Sequence, residues 1–559
     1  MTQSRSREET IQQDVADLHR LGYAQELFRS MGGFSNFAIS FSIISILTGA
    51  VILFDYGLAW AGTAAVLIGW PLVTVFVLCI AASMAEIASA YPTAGGLYYW
   101  ASKMRNPRWG WWTAWFNLIG QFAIVAGINF AAAFFINQTI ISPLTGGAYT
   151  NTSQILALGD TLVISGQLLT MAILMIGQLI LNIAGINVVA FLNQVSVWWH
   201  IAFVALIAAS LFILGTKDTT VDAGLTLFAV QPQDTLGSWD ITIPPGENPL
   251  IQFLFGPASS YPLFFAFFFS LLLANWTYTG YDASAHVAEE TVGARVASAW
   301  GIFLSVAVSA VVGFIFLLAL VLHLPDLTPL FGQLDDPALY SQYYFGDNAA
   351  VVYILTENLG AGLGGIFGGA IAIAMSFCGL SSVASAGRML YAFSRDDGMP
   401  GSGWLKKVSH RYRTPANSLI AMVVGAFLLA LAAFLAGGGT AIVIVTAIST
   451  IFLYAAYGIC IFLGATTTDW IQHRAWSLGR FSRPIAWIAV FWVIVLMILF
   501  SFPTSGNISI SFMIAVVLLL AVYYAVAGRN FQGPRVMGDS EALTEIEREF
   551  AAAAKIIER

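Results

Sequence analysis

Charge is what this sequence has least of: only 9% of its 559 residues are Asp, Glu, Lys or Arg, against about 25% in a soluble domain. A chain so poor in charge cannot clothe a water-facing surface, and its 58% apolar content marks a polytopic membrane protein. Cysteine is scarce too. Cys79, Cys378 and Cys460 all fall inside apolar runs, where a thiol packs as a small buried group, so neither disulfides nor redox chemistry is expected. The sequence lacks a Gly-x-x-x-x-Gly-Lys-Ser/Thr loop, which disfavours an ATP-driven pump. It also lacks His-Glu-x-x-His and Gly-x-Ser-x-Gly, which argues against a membrane-embedded enzyme. No nucleic-acid footprint is present, and no metal or organic cofactor is called for. The first 30 or so residues are polar and hold no apolar stretch before a cleavage site, so no removed signal is expected.

What the chain does have is apolar runs of spanning length, about 20 residues each. They lie near 36–57, 61–88, 111–140, 161–184, 188–214, 262–290, 298–323, 362–387, 416–436, 440–464, 485–502 and 508–528. The Gly-rich stretch 359–370 fits either helix or loop. Basic residues test this count independently, because short cytoplasmic loops hold the Lys and Arg. With both termini inside, every basic residue except Lys217 falls in a cytoplasmic segment. Lys217 sits in the long 215–261 loop, where translocated loops escape the rule. The net charge of −7 says little about partners, since the acids gather in outer loops and tails. A solvated helix is expected over Glu541–Arg559.

Two runs carry interruptions. The first reads Phe41-Ser42-Ile43-Ile44-Ser45-Ile46-Leu47-Thr48-Gly49-Ala50, with its break expected at Thr48-Gly49; the second reads Ala274-Asn275-Trp276-Thr277-Tyr278-Thr279-Gly280-Tyr281-Asp282. In lipid, irregular backbone survives only where protein or a cavity surrounds it. A pair of interrupted spans in corresponding halves points to a transporter's substrate site, although glycine also lets helices pack closely.

Several stretches carry a family resemblance. Leu21-Gly22-Tyr23-Ala24-Gln25-Glu26-Leu27 leads into Phe34-Ser35-Asn36-Phe37-Ala38-Ile39-Ser40-Phe41-Ser42, then Thr48-Gly49, then Ala85-Glu86 with Ala90-Tyr91-Pro92-Thr93-Ala94-Gly95-Gly96-Leu97-Tyr98-Tyr99-Trp100. Thr279-Gly280-Tyr281-Asp282, Glu289-Glu290-Thr291 and Phe393-Ser394-Arg395-Asp396-Asp397-Gly398-Met399-Pro400 follow. Together these resemble the amino acid–polyamine–organocation superfamily, and within it the amino acid/choline transporter branch that includes γ-aminobutyrate and choline permeases. The resemblance implies an all-α membrane protein of twelve transmembrane helices in a LeuT-type fold, two five-helix inverted repeats plus two peripheral helices. On that plan residues 1–33 form a cytoplasmic segment, 34–214 the first repeat, 215–261 an extracellular loop, 262–464 the second repeat, 485–528 the last two spans and 529–559 a cytoplasmic tail. Alternating access would follow from one bundle rocking about a midplane site.

Roles for individual residues follow from chemistry. A half-helix beginning inside the membrane exposes unpaired N–H groups, so Gly49, Ala50 and Val51 are candidates to clamp a substrate carboxylate, with Thr48 adding a hydroxyl. Trp276, Tyr278 and Tyr281, beside Thr279 and Gly280, can offer ring faces to an ammonium. Asp282 supplies a charge, closes a gate or holds the broken helix together. His286, four residues on, shares its face. Asn117, Gln121 and Asn129 form a polar stripe that faces the pathway or joins helices. His200, fifteen positions after Gly185, resembles the place where proton-coupled relatives carry a lysine. A histidine there fits proton coupling, because its ordinary pKa near 6.5 lets it load and release protons around neutrality; a neutral histidine bonded across helices is the alternative. Ser381, Ser382 and Ser385 can face it, which keeps sodium as the second candidate coupling ion. Glu86 and Tyr98 resemble the family's inner gate.

The function expected is import of a small amino acid or related amine across a plasma membrane, a bacterial inner membrane by default, with the proton as coupling ion. A choline- or polyamine-type permease, a sodium symporter, an exchanger and a passive channel are the alternatives.

Overall fold

The computed structural model describes residues 6–158, 162–215, 263–325, 349–437, 441–501 and 507–557. The 215–261 loop therefore lies almost wholly outside the described residues. Among the described residues, ten helices are long and apolar enough to cross a membrane. Two shorter apolar helices, Phe267–Thr277 and Met513–Val526, fall at the sixth and twelfth expected positions. Among the described residues the bundle is all-α apart from one antiparallel hairpin, Gln154–Leu158 with Leu162–Ser165. That hairpin corrects the expected start of the fourth span: the helix is Gly166–Ile183, capped by Ser165, whose hydroxyl accepts the Leu168 N–H at 3.3 Å. The Gly-rich stretch is helical, inside Ala350–Arg395, with a single kink at Gly360 where φ is 77°.

Outward faces are apolar where a bilayer would lie. Ile173, Ile176 and Ile180, spaced along one side of the fourth span, are 62%, 54% and 61% exposed, as lipid-facing positions should be. Inside, the third span (Pro107–Ile136) packs against the eighth and the tenth (Ala441–Thr466), and the seventh (Ala294–Val321) packs against the first and second.

The amino-terminal and tail helices lie together on one face of the bundle, called here the terminal face. The amino-terminal helix Arg7–Leu21 is started by a Ser6–Glu9 capping box and touches the tail helix Ser540–Ile557 through His19 and Glu547 at 2.8 Å. The tail is thus docked rather than solvated, contrary to the expectation from its mixed charge.

Candidate functional site

The first and sixth spans are discontinuous, and their breaks meet. The first runs as Gly33–Ile44, Ile46–Ile52 and Phe54–Ala61. Its chain turns at Ser45, whose φ of 35° and ψ of 87° are left-handed, and not at Thr48-Gly49, which sits within the short helix. Thr48 and Gly49 N–H groups both bond Ser45 O, at 2.8 and 2.9 Å. The N–H groups that helix geometry leaves over therefore belong to Ile46 and Leu47, upstream of the expected clamp, while Ala50 and Val51 are buried helix interior. Gly49 answers a different need: a Cβ there would lie 2.7 Å from the Thr277 Cα. It is where the two broken spans touch backbone to backbone.

The sixth span breaks where expected. Helix Leu272–Thr277 ends, Gly280 takes φ of 85°, and a new turn runs over Ala283–His286. A Cβ on Gly280 would overlap Ile43 of the first span, so only glycine suits both the dihedral and the contact. The aromatic residues of this stretch diverge. Trp276 donates its ring N–H to Ser449 at 2.9 Å, and Tyr278 packs on Trp70 and bonds Thr74 at 2.8 Å. Tyr281 lies against Tyr457. They do not form one cage; they fix the break to the second and tenth spans. Thr279 caps the same turn, bonding Trp276 O at 2.6 Å.

Asp282 is wholly buried and has polar partners on three sides. Tyr457 OH reaches Oδ1 at 2.7 Å, Asn117 Nδ2 reaches Oδ2 at 3.2 Å and His286 Nε2 lies 3.1 Å from Oδ2. Tyr457 OH also accepts the Gly280 N–H at 3.3 Å. His286 continues to Ala94 O at 3.1 Å, in the loop after the second span. Of the polar stripe, Asn117 thus meets the break, while Asn129 accepts from Gln178 of the fourth span at 2.7 Å. Gln121 is buried on the third span one turn beyond Asn117.

His200 reaches the break in the first span directly. Its Nδ1 stands 2.7 Å from Ser196 O and its Nε2 2.7 Å from Ser45 Oγ. Ser45 Oγ is 2.5 Å from Thr48 Oγ1, and Ser42 donates to Ser196 Oγ at 2.8 Å. Ser381 does not face the imidazole: it bonds Asn193 and Phe377 O. Ser382 joins the cluster through Cys378, whose thiol donates to Ile43 O at 3.2 Å and lies among the hydroxyls of Thr48, Ser45 and Ser382. Sequence reasoning missed Ser42, Ser45 and Ser196 as site members and read Cys378 as mere packing. Their one visible signal was hydroxyl residues recurring in otherwise apolar spans.

On the terminal face, buried ion pairs join the turn after the sixth-span break to the eighth span. Glu289 pairs with Arg395 at 2.9 and 3.0 Å, and Glu290 pairs with Arg388, Nη2 to Oε1 at 3.0 Å. Arg29, in the strap of residues 22–32 that joins the amino-terminal helix to the first span, bonds Thr291 O at 2.5 Å. Tyr98 and Tyr23 both donate to Asp396. Burial pushes the Asp396 carboxyl up, and the nearby Arg395 charge and those phenols oppose the shift. Tyr98 therefore joins this buried cluster, the candidate gate. Glu86 does not: it holds Arg474 Nη1, Leu478 N–H and Ser482 Oγ at 2.9, 2.7 and 2.7 Å, anchoring the segment between the tenth and eleventh spans.

Paired broken helices inside a polytopic bundle point to a transporter rather than an enzyme. Comparison with known proteins agrees: the chain belongs to the amino acid permease family, whose model matches residues 31–523. It is 35% identical over 532 residues to amino-acid permease BAT1 of Arabidopsis thaliana, covering 92% of this chain and 95% of that protein. It is 26% identical to a putative polyamine transporter of Candida albicans, over 94% of this chain and 89% of that one. The thiamine transporter thi9 of Schizosaccharomyces pombe is 26% identical over 90% of this chain and 82% of its own length.

Proposed function

We propose that this permease is a proton-coupled importer of a small amino acid or related amine, working by alternating access about the paired breaks, with two inverted five-helix repeats. The observation that carries the coupling is the 2.7 Å contact between His200 Nε2 and Ser45 Oγ. A carbonyl only accepts, so Nδ1, facing Ser196 O, carries the N–H of the neutral ring. Nε2 then accepts the Ser45 hydroxyl proton, and Thr48 donates to Ser45. A proton arriving at Nε2 reverses that chain: the imidazolium donates to Ser45, and Ser45 turns to Thr48. Protonation thereby changes which lone pairs the break offers to substrate, and this links the ion to the site. Asp282 is assigned the role of strut for the sixth-span break, since its oxygens are engaged by Tyr457, Asn117 and His286.

The terminal face is assigned to the cytoplasm because the basic residues gather there, and the protein to a plasma membrane. The relatives named above are plant and fungal, which lends a bacterial inner membrane no support. Their names share substrates bearing an amine or cationic nitrogen, which supports the same class here. The test is uptake into proteoliposomes of γ-aminobutyrate, choline and a mixed amino-acid panel, under an inward proton gradient and then an inward sodium gradient. Concentrative uptake driven by protons is expected. Uptake with sodium alone would move coupling to the Ser45, Thr48 and Ser382 hydroxyls, and downhill flux of every compound would refute active transport.

A further inference from the structure

We propose that the carboxy-terminal tail is a latch that holds the terminal-face gate closed, so that its release governs how readily the transporter opens to that side. The tail grips the amino-terminal strap at both ends. Arg535 N–H donates to Asp396 Oδ1 at 3.0 Å, completing the carboxylate that Tyr23 and Tyr98 already hold through Oδ2. Met537 N–H donates to Gly22 O at 2.8 Å. One helical segment later, Glu547 Oε1 takes the Gln25 N–H at 2.8 Å and meets His19 Nε2 at 2.8 Å. Phe550 stacks on His410, with ring centroids 5.1 Å apart, and the Arg413 guanidinium lies 5.3 Å from its ring.

The strap is in turn bonded to the gate itself. Gln25 Nε2 donates to Glu289 O at 2.8 Å, and Tyr391 of the eighth span donates to Glu26 at 2.5 Å. Arg413 reaches over from beyond the eighth span to donate to Gln25 O and Glu26 O, both at 3.0 Å. Tail, strap and the Glu289-Glu290 turn therefore form one connected chain of bonds. For Glu289 and Glu290 to leave Arg395 and Arg388, the strap must move with them, and the tail resists that movement. A tail helix that merely floated in solvent would not bury Leu543 to 2% exposure or place one carboxylate oxygen against both the Gln25 N–H and the His19 ring.

The test reads gate opening without substrate or ion gradient, so it is independent of the coupling proposal. Cys460 is fully buried, its thiol donating to Leu97 O at 3.2 Å beside the gate residue Tyr98. Opening of the terminal face, which parts Tyr98 from Asp396, is expected to expose it to a small maleimide. In proteoliposomes, Cys460 modification is followed by peptide mass mapping in three chains: the native protein, the full-length Glu547→Ala/Phe550→Ala variant, and a chain ended after Pro534. Loss of the latch should speed Cys460 modification on the order of fivefold, the low end of coupling between linked sites, in both altered chains. Modification at the native rate, or slower, in the full-length variant would overturn the latch, whether or not the shortened chain folds.

Discussion

Gly49→Ala separates two meanings of the first break, because two opposed effects of known size act at that position. Alanine stabilises a helix interior by about 1 kcal/mol relative to glycine, and Gly49 lies inside the right-handed helix Ile46–Ile52. Were its face open to substrate, the variant would be as stable as the native protein or more so. The added Cβ instead meets the Thr277 Cα at 2.7 Å and Oγ1 at 2.6 Å. The hydroxyl cannot swing aside, being bonded to Leu273 O at 2.6 Å, and a backbone atom moves only with its helix. Overpacking of this kind costs about 1–3 kcal/mol, so the clash outweighs propensity by up to about 2 kcal/mol. Thermal unfolding of the purified protein in nanodiscs, paired with uptake, reads the balance. A lowered midpoint with impaired uptake is expected. A raised midpoint with native uptake would refute the close contact of the two broken spans.

Two further outcomes follow from the same geometry. Tyr457→Phe removes the hydroxyl that donates to Asp282 and receives the Gly280 N–H; it should cost about 1–3 kcal/mol of stability, the usual penalty of an unmet buried polar group, and slow uptake, whereas a neutral result would deny Asp282 its strut role. Glu86→Ala should lower stability by about 2 kcal/mol, a modest loss because Arg474 is partly exposed and rehydrates, while the KM for substrate stays native; a raised KM would return Glu86 to the gate.

The two breaks were unequally legible in the sequence. Gly280 announced itself because a left-handed dihedral at a packed position selects glycine. Ser45 adopts a positive φ without that signature, whereas Gly49, the glycine visible in the sequence, serves a close approach instead. His200 was found through resemblance and spacing. Its partners Ser42, Ser45 and Ser196 were not, because a hydroxyl in an apolar span looks alike whether it bonds its own helix or a neighbour. Glu289-Glu290 and Arg395 stood out as motifs, yet their pairing across about a hundred residues depends on how the sixth and eighth spans meet. The hairpin before the fourth span was hidden in a run apolar enough to pass for helix. The tail looked solvated because its contacts are made by single residues, Glu547 and Phe550, with partners far away in the chain.

The most direct test of the central claim is to compare native protein and His200→Ala in proteoliposomes, measuring accumulation under an inward proton gradient and counterflow exchange without one. Removing the imidazole takes away the proton acceptor at Ser45 but leaves both breaks in place. Gradient-driven accumulation should be lost while counterflow continues. Accumulation that persists undiminished in His200→Ala would contradict proton coupling through His200.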